Sequence, residues 1–237
     1  MLSCIIIILQ GFLKHAYLNT EILIMQKTLS EKFVAAIGAL VAWVAVILQL
    51  TLILQNRVAG VPETIIRFFS FFTILTNIIV AISFTETMLA KKISSNNFWQ
   101  RSSTKTAVVI YILVVGIIYN LVLRQLWVPV GLQKVADELL HVVTPILYLF
   151  YWIVFVPKQD LHWRFAIQWL WYPFFYLFFI LVRGAFSDFY PYPFVDVLNN
   201  GYQKVFINSG YVLLLFLVLS VIFIGASRLT RTNTTIG

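Results

Sequence analysis

Six long apolar runs alternate with short polar segments along the chain, and this alternation predicts the fold. Each run has roughly 19 to 26 residues, and at about 1.5 Å per residue a helix of that length crosses a hydrocarbon layer of about 30 Å. The connections carry glycines and prolines of the kind that end helices, such as Gly60 and Pro129. The pattern therefore predicts an all-α fold, a polytopic six-transmembrane-helix bundle, with helices near residues 33–54, 65–90, 105–123, 138–156, 165–183 and 205–225.

The residues before the first run follow a different pattern. The apolar stretch from Cys4 to Leu9 is too short to span a bilayer, and no small-residue cleavage site of the signal-peptide type follows it. Met25 begins the more ordinary start MQKTLSEK. We therefore predict that residues 1–24 are an N-terminal extension or precede the true start at Met25, with an interfacial helix as the alternative. The six-helix transmembrane domain then covers residues 25–237.

The composition supports a membrane protein and excludes other classes. The chain is 61% hydrophobic and 11% charged, with a mean hydropathy of +0.91, which no soluble domain of this length could bury. The net charge is +8, but its basic residues are scattered through loops, so we expect no nucleic-acid partner. The single Cys4 excludes an intrachain disulfide and a cysteine metal site. Tyrosines and tryptophans cluster at 148–176, where we expect most of them in an interfacial belt.

Lysines and arginines are distributed unevenly between the two sides of the predicted bundle. In membrane proteins the cytoplasmic side carries the excess of these residues. The side with both chain ends holds Lys14, Lys27, Lys32, Lys91, Lys92, Arg101, Lys105, Lys158, Arg164, Arg228 and Arg231. The other side holds Arg57, Arg67, Arg124, Lys134, Arg183 and Lys204. We therefore predict a multi-pass protein of the cell membrane with both termini in the cytoplasm.

The fourth apolar run carries two acids and a histidine near its start. Ionisable groups inside a hydrocarbon layer are costly, so they indicate a functional site by default. Asp137 and Glu138 precede His141 by four and three residues, which places all three on one helix face. His141 is therefore a candidate general base, with Asp137 or Glu138 orienting its ring. Two alternatives stay open: a packed histidine bonded to a neighbouring helix, and acids that only complement a helix N-terminus.

The second run carries Thr73, Thr76 and Asn77 on one helix face. From a helix start near Ile65, Thr73 lies about 12 Å along the axis, and His141 lies about 5 to 10 Å into the fourth helix, so we expect comparable depths. Threonine in membrane helices commonly bonds to the carbonyl one turn back, and asparagine commonly joins two helices. A nucleophilic threonine and a substrate contact from Asn77 are the functional alternatives.

Three arginines lie at the predicted outer ends of helices, namely Arg67, Arg124 and Arg183. Each is a candidate to bind a substrate carboxylate, because a guanidinium forms two parallel hydrogen bonds with one. For Arg183 the alternatives are that its long side chain only extends to the interface, or that it pairs with Asp188 or Asp196. No metal or cofactor is expected, since the sequence lacks a second membrane histidine for haem, a central lysine for retinal and paired acids for a metal.

Several stretches resemble a group of bacterial six-helix membrane proteins over about residues 30–228, namely FFTILTN at 71–77, LLHVVTPILYLFYWIVFVPK at 139–158, WLWYPFFYLFFILVRG at 169–184 and YPYPFVDV at 190–197. The group is distantly similar to the androgen-induced/FAR-17a family of six-helix hydrolases, which split fatty acid esters of hydroxy fatty acids with an intramembrane threonine and a histidine. The resemblance implies Thr73 as nucleophile and His141 as base. Asn77 lies one residue too far for an ungapped match, so Thr76 stays the alternative nucleophile.

Two functions of different classes follow from the sequence. The first is an intramembrane hydrolase of lipid esters, in which His141 takes the proton from Thr73. The second is a non-enzymatic bundle that binds or transports a lipid or small solute. In both, the expected partners are membrane lipid and a lipid-like or small-molecule ligand.

Overall fold

The computed structural model describes residues 2–90, 97–126 and 128–232, with side chains for residues 21–23, 25–90, 97–126 and 128–228. Six helical segments in this part of the chain are long and apolar enough to cross a membrane. They are Glu21–Gln55, Phe72–Leu89, Ser102–Leu123, Gly131–Phe155, Arg164–Ser187 and Val197–Arg228. The predicted all-α, six-helix architecture of an integral membrane protein is confirmed.

The described elements are α-helices and two short 3-10 helices, Phe98–Gln100 and Pro193–Val195. The α-helices are α1 (Leu2–Gln55), α2 (Val61–Phe69), α3 (Phe72–Leu89), α4 (Ser102–Ile118), α5 (Gly131–Glu138), α6 (Thr144–Phe155), α7 (Arg164–Gln168), α8 (Trp171–Ser187) and α9 (Val197–Thr232). A π-turn at Tyr119–Leu123 extends α4, and a second at Leu139–Val143 joins α5 to α6. The range of α9 contains a break at Gly201, whose φ is +71°.

Helix α1 begins at Leu2 and runs without a break to Gln55. The predicted start of the first helix near residue 33 is therefore too late. That residues 1–24 are a dispensable extension stays a prediction. Of the basic residues that set the predicted orientation, Lys91 and Lys92 lie outside the described residues, and so do the side chains of Lys14 and Arg231.

The second apolar run is divided into two helices rather than one. Helix α2 ends at Phe69 and α3 starts at Phe72, so Ser70 and Phe71 form a break. Thr73 is the second residue of α3, and its predicted position about 12 Å inside a continuous helix is wrong. The break matters because the first backbone N–H groups of a helix have no partner within that helix.

The fourth membrane helix starts earlier than its apolar run. It begins at Gly131, whose φ of +58° is a conformation that favours glycine. Asp137 and Glu138 therefore lie in the second turn of α5. The interpretation that these acids only complement a helix N-terminus is wrong, because that effect is confined to the first turn.

Small side chains bring α1 and α3 together. Ala35, Ala39 and Ala42 are buried along one face of α1, and a Cβ added at Gly38 would lie 2.5 Å from the ring of Phe84. Close approach through small residues is the usual way in which membrane helices pack.

The aromatic cluster at 148–176 is partly interior: Tyr148, Tyr151, Trp152 and Trp169 are buried, so the prediction of an interfacial belt is wrong for them.

Helix α8 lies at the periphery of the bundle. Only Pro173, Ile180 and Gly184 of its 17 residues are buried. Gly184 packs directly against the ring of Tyr190, and a Cβ at position 184 would overlap that ring. The segment after α8 is thus held against the helix that precedes it.

Candidate functional site

A cavity of about 510 Å³ opens at the end of the bundle where α1 and α4 end and α3 begins. Its wall combines apolar side chains with several polar ones. Both residues of the predicted catalytic pair, Thr73 and His141, line it. The other polar side chains in the wall are Gln49, Asn56, Tyr119, Gln133, Asp137 and Tyr192.

The ring of His141 is fixed by two contacts. Its Nδ1 lies 2.8 Å from the backbone oxygen of Asp137, and its plane stacks on Tyr119 with centroids 3.8 Å apart and an angle of 12°. A carbonyl oxygen only accepts hydrogen bonds, so Nδ1 must carry a proton. In the neutral ring Nε2 is then the nitrogen with the free lone pair, which is the form that a general base requires.

The chain around His141 leaves two backbone carbonyls without their usual donors. In the π-turn the N–H of Thr144 bonds to Leu139 O, five residues back, instead of to Leu140. Pro145 has no N–H, so the carbonyl of His141 also lacks its helical partner. Single π-turns of this kind occur frequently at functional sites.

Two asparagines from neighbouring helices satisfy these carbonyls. Asn77 Nδ2 lies 3.3 Å from Leu140 O, and Asn120 Nδ2 lies 3.3 Å from His141 O. Asn77 also donates to Thr73 O over 2.9 Å and is fully buried behind the cavity wall. Both asparagines join helices, and Asn77 positions the site from behind; its predicted contact with substrate stays a prediction.

The two acids beside His141 have different partners. Asp137 accepts hydrogen bonds from Tyr119 OH over 3.0 Å and from Gln133 over 2.8 Å, and Tyr119 is the ring that stacks on His141. Asp137 therefore orients the imidazole through its backbone oxygen and through Tyr119. Glu138 forms an ion pair with Arg124.

Thr73 lies at the start of α3, against the loop that follows α8. Its Oγ1 lies 3.2 Å from Tyr192 OH, which also accepts the backbone N–H of Thr73 over 3.1 Å. Tyr176 OH similarly accepts the N–H of Phe72 over 3.2 Å and donates to Ser70 O over 2.8 Å. Tyrosine hydroxyls thus cap the helix start that the break at Ser70 leaves open. Burial raises the pKa of Tyr192, so its hydroxyl stays protonated.

Thr76 faces away from this cavity. It is fully buried, and its Oγ1 lies 3.2 Å from Tyr172 OH on α8. The alternative nucleophile is therefore held in a helix contact, whereas Thr73 borders open space.

Two of the candidate arginines share one acid at this end of the bundle. Glu63 Oε1 lies 2.8 Å from Arg67 and 2.9 Å from Arg183, and both guanidiniums lie over the ring of Phe189 at 4.6 and 4.8 Å. The hydrogen bond from Arg67 lowers the pKa of Glu63, and the charge of Arg183 acts in the same direction. A carboxylate of the protein already occupies the place that the sequence suggested for a substrate carboxylate.

A second, smaller cavity of about 70 Å³ meets the first at Thr73, Leu123 and Tyr192. Its wall is almost entirely apolar and comes from α4, α8, α9, the start of α3 and the loop after α8. Ser209 lines it, and the buried Oγ of this serine has no hydrogen-bond partner among the described residues. Thr73 therefore lines both the cavity of mixed character and the apolar one.

Sequence reasoning missed the aromatic residues that hold the site. Tyr119 and Tyr192 contact His141 and Thr73, but they carry no local signal that separates them from other membrane tyrosines. Among the described residues no cluster of three His, Cys, Asp or Glu side chains has the arrangement of a metal site.

Comparison with known proteins identified no relative of this chain. No protein-family model matches the chain, and no curated protein or solved structure is similar to it at a significant level. The resemblance to the androgen-induced/FAR-17a family therefore has no support from these comparisons. On its own structure the chain is a multi-pass integral membrane protein, whose described residues include six helical segments of spanning length.

Proposed function

We propose that this membrane protein hydrolyses a lipid ester, with Thr73 as nucleophile and His141 as general base. The observation that carries the proposal is that both residues line one cavity of about 510 Å³, beside an apolar compartment that begins at Thr73. The size lies within the range of small-molecule sites. An ester with its polar part in the larger cavity and its chain in the smaller one brings the carbonyl next to Thr73.

In each of the two stages of the proposed chemistry, His141 first accepts a proton and then returns it. His141 Nε2 takes the proton of Thr73 Oγ1 while that oxygen attacks the ester carbonyl, and the imidazolium then protonates the departing alcohol. Water hydrolyses the acyl-threonine with His141 again as base, which releases the acid. The hydrogen bond of Nδ1 to the Asp137 oxygen supports this role because it keeps Nε2 available. Thr73 exchanges its bond to Tyr192 for one to His141 when substrate binds, as catalytic contacts often tighten only in the complex.

Alanine variants test the assignment. Thr73→Ala and His141→Ala should each abolish ester hydrolysis by the purified protein, and the double variant should be little worse than either single one, because residues that act as a unit are not additive. Thr85→Ala is the matched control: Thr85 lies on the same helix, bonds to Ala81 O over 2.7 Å and lines none of the described cavities.

The outcome at the two threonines decides the mechanism. Activity lost in Thr76→Ala and kept in Thr73→Ala would move the nucleophile by one turn. Full activity in both variants would make the threonine mechanism wrong.

A non-enzymatic binding protein for a lipid or small solute is the second candidate. The observation that favours it is that the polar groups of the cavity bond to one another: Thr73 to Tyr192, and Asp137 to Tyr119 and Gln133. A hydroxyl-reactive acylating probe separates the two candidates. Covalent labelling of Thr73 supports the hydrolase, whereas thermal stabilisation by the lipid without labelling supports the binding protein.

A further inference from the structure

We propose that a layer of four aromatic rings, Phe72, Tyr111, Tyr172 and Phe216, is a gate on a path through the bundle, along which a single-chain amphiphile passes from one end to the other. This transfer function goes beyond the proposed hydrolysis and does not require it. We call these four side chains the ring layer.

The first observation is a large cavity at each end of the bundle. The cavity of about 510 Å³ described above lies where α4 ends. Another, of about 530 Å³, lies where α4 begins, and its wall includes Trp99, Arg101 and Ala107. Both cavities open to the outside of the bundle, so each is an accessible end for a path between them.

The second observation is that little separates them. The small central cavity shares the wall residues Thr73 and Tyr192 with the first cavity, and Phe72 and Phe216 also line it. Tyr111 and Tyr172 line the far cavity on the other side.

The rings on the two sides touch directly. Their centroids are 4.9 Å apart for Phe72 and Tyr172 and 6.0 Å apart for Phe216 and Tyr111. A single layer of rings, in contact at these two points, thus lies between the central cavity and the far one.

The third observation is the attachment of the helix that carries one of these rings. Tyr172 lies on α8, the peripheral helix with three buried residues. The Tyr172 hydroxyl bonds to Thr76 Oγ1 over 3.2 Å, whereas Tyr176 holds the same helix to α3 through the N–H of Phe72. Rotation of the Tyr172 side chain therefore separates it from Phe72 while α8 stays attached through Tyr176.

The walls indicate the chemical class of the occupant. The central cavity is narrow and apolar except for a few hydroxyls, among them the unpartnered Ser209 Oγ. The far cavity combines six aromatic side chains with Gln168 and the hydroxyls of Ser103 and Thr104. A single alkyl chain with one small polar group fits both walls, and the central cavity of about 70 Å³ is too small for a two-chain lipid.

Cysteine accessibility tests the path. In a Cys4→Ser background, Val115→Cys places a thiol in the central cavity and Ala107→Cys places one in the far cavity. The protein is reconstituted in vesicles of known orientation, and a membrane-impermeant thiol reagent is added on one side at a time. Phe216→Ala removes two contacts of the ring layer, with Phe72 and Tyr111. It should raise the labelling rate of Val115→Cys from the side of Ala107 by about tenfold.

The controls come from the same helices. Phe223→Ala truncates another buried phenylalanine of α9, which packs on Trp152 and lines none of the described cavities, and it should leave the rate unchanged. Normal labelling of Ala107→Cys shows that a variant is folded. If Phe216→Ala does not fold, Phe216→Leu replaces it, with a smaller expected increase.

Decanol is the probe for the cargo. It should slow the labelling of Val115→Cys and Ala107→Cys alike, because a chain on the path occupies both cavities in turn. Protection of Val115→Cys alone would show a closed binding pocket and overturn the path. Unchanged access in a folded Phe216→Ala protein would overturn the gate. Neither outcome affects the hydrolase test, which measures Thr73 and His141 directly.

Discussion

The two ends of the bundle both bury ionisable side chains, but they do so in different ways. At one end Lys105 is 2% exposed and its Nζ lies 3.3 Å from Glu31, 3.1 Å from Gln100 and 2.5 Å from Tyr151. None of these four residues lines a described cavity. At the other end His141 borders an open cavity. We call these the lysine end and the histidine end.

The difference between the two ends shows that burial of an ionisable side chain does not by itself indicate a functional site. At the lysine end the ion pair joins α1 to α4, and Tyr151 OH donates to Glu31 over 2.8 Å, so the charges satisfy one another. At the histidine end the polar groups surround space that a ligand can fill. Ionisable side chains are costly inside a membrane at either end, so this cost alone does not separate the two groups of residues. Only the cavity distinguishes a binding site from a polar contact that holds helices together.

The first test concerns which side each end faces, and its result is all-or-none. Reporters fused after Lys92 and after Gly131 should fall on opposite sides of the membrane, with the one after Lys92 cytoplasmic, because the basic residues predict this orientation. Lys92 itself lies outside the described residues. Both reporters on one side would contradict the topology, and an inverted pair would place the histidine end in the cytoplasm.

The largest effect on stability should come from breaking the pair at the lysine end. Lys105→Met leaves Glu31 buried without its cation and should lower the free energy of unfolding by about 3–5 kcal/mol. Denaturation in detergent micelles measures it. The double variant Glu31→Leu with Lys105→Met should recover most of the loss, since replacing both partners of a buried pair is often neutral. A double variant as unstable as the single one would show that the pair itself is needed.

A smaller effect is expected at the histidine end. Asn120→Ala removes the donor to His141 O and should lower the free energy of unfolding by about 0.6–1.7 kcal/mol, the range for hydrogen bonds between membrane helices. Pro145→Ala supplies a backbone N–H for the same carbonyl. Asn120→Ala should therefore cost less in a Pro145→Ala background, and a double-mutant cycle measures the coupling. Strict additivity would mean that Asn120 does not act through this carbonyl.

The smallest effect is the pH dependence of the cluster at Glu63. Because its arginine partners lower the pKa of Glu63 below the ordinary value of 4.5, the ionised form stabilises the fold. This contribution is fully present above pH 4.5 and is lost as the pH falls through the lowered pKa. Thermal unfolding of the wild type should therefore approach that of Glu63→Gln only in this acid range. A constant difference between the two proteins down to the lowest pH would contradict the assignment.

The sequence was sufficient for the number of membrane helices, because an apolar run of spanning length is a local signal. It placed Thr73 and His141 in one region, and both line the same cavity. It did not predict the break at Ser70, where no glycine or proline stands, or the pairing of Lys105 with Glu31, which lie 74 residues apart. The charge pattern along the sequence assigns Lys105 to a loop. Contacts of this kind depend on which helix faces meet, and an apolar pattern that is nearly uniform around each helix does not specify that.

The contact between Gly184 and Tyr190 ties the loop after α8 to that helix, and the loop carries Tyr192 to the hydroxyl of Thr73. The position of Thr73 on α3 thus depends on α8, because Gly184 has no Cβ and lets the ring of Tyr190 pack against that helix. A change in bilayer thickness that tilts α8 would reach Thr73 by this route.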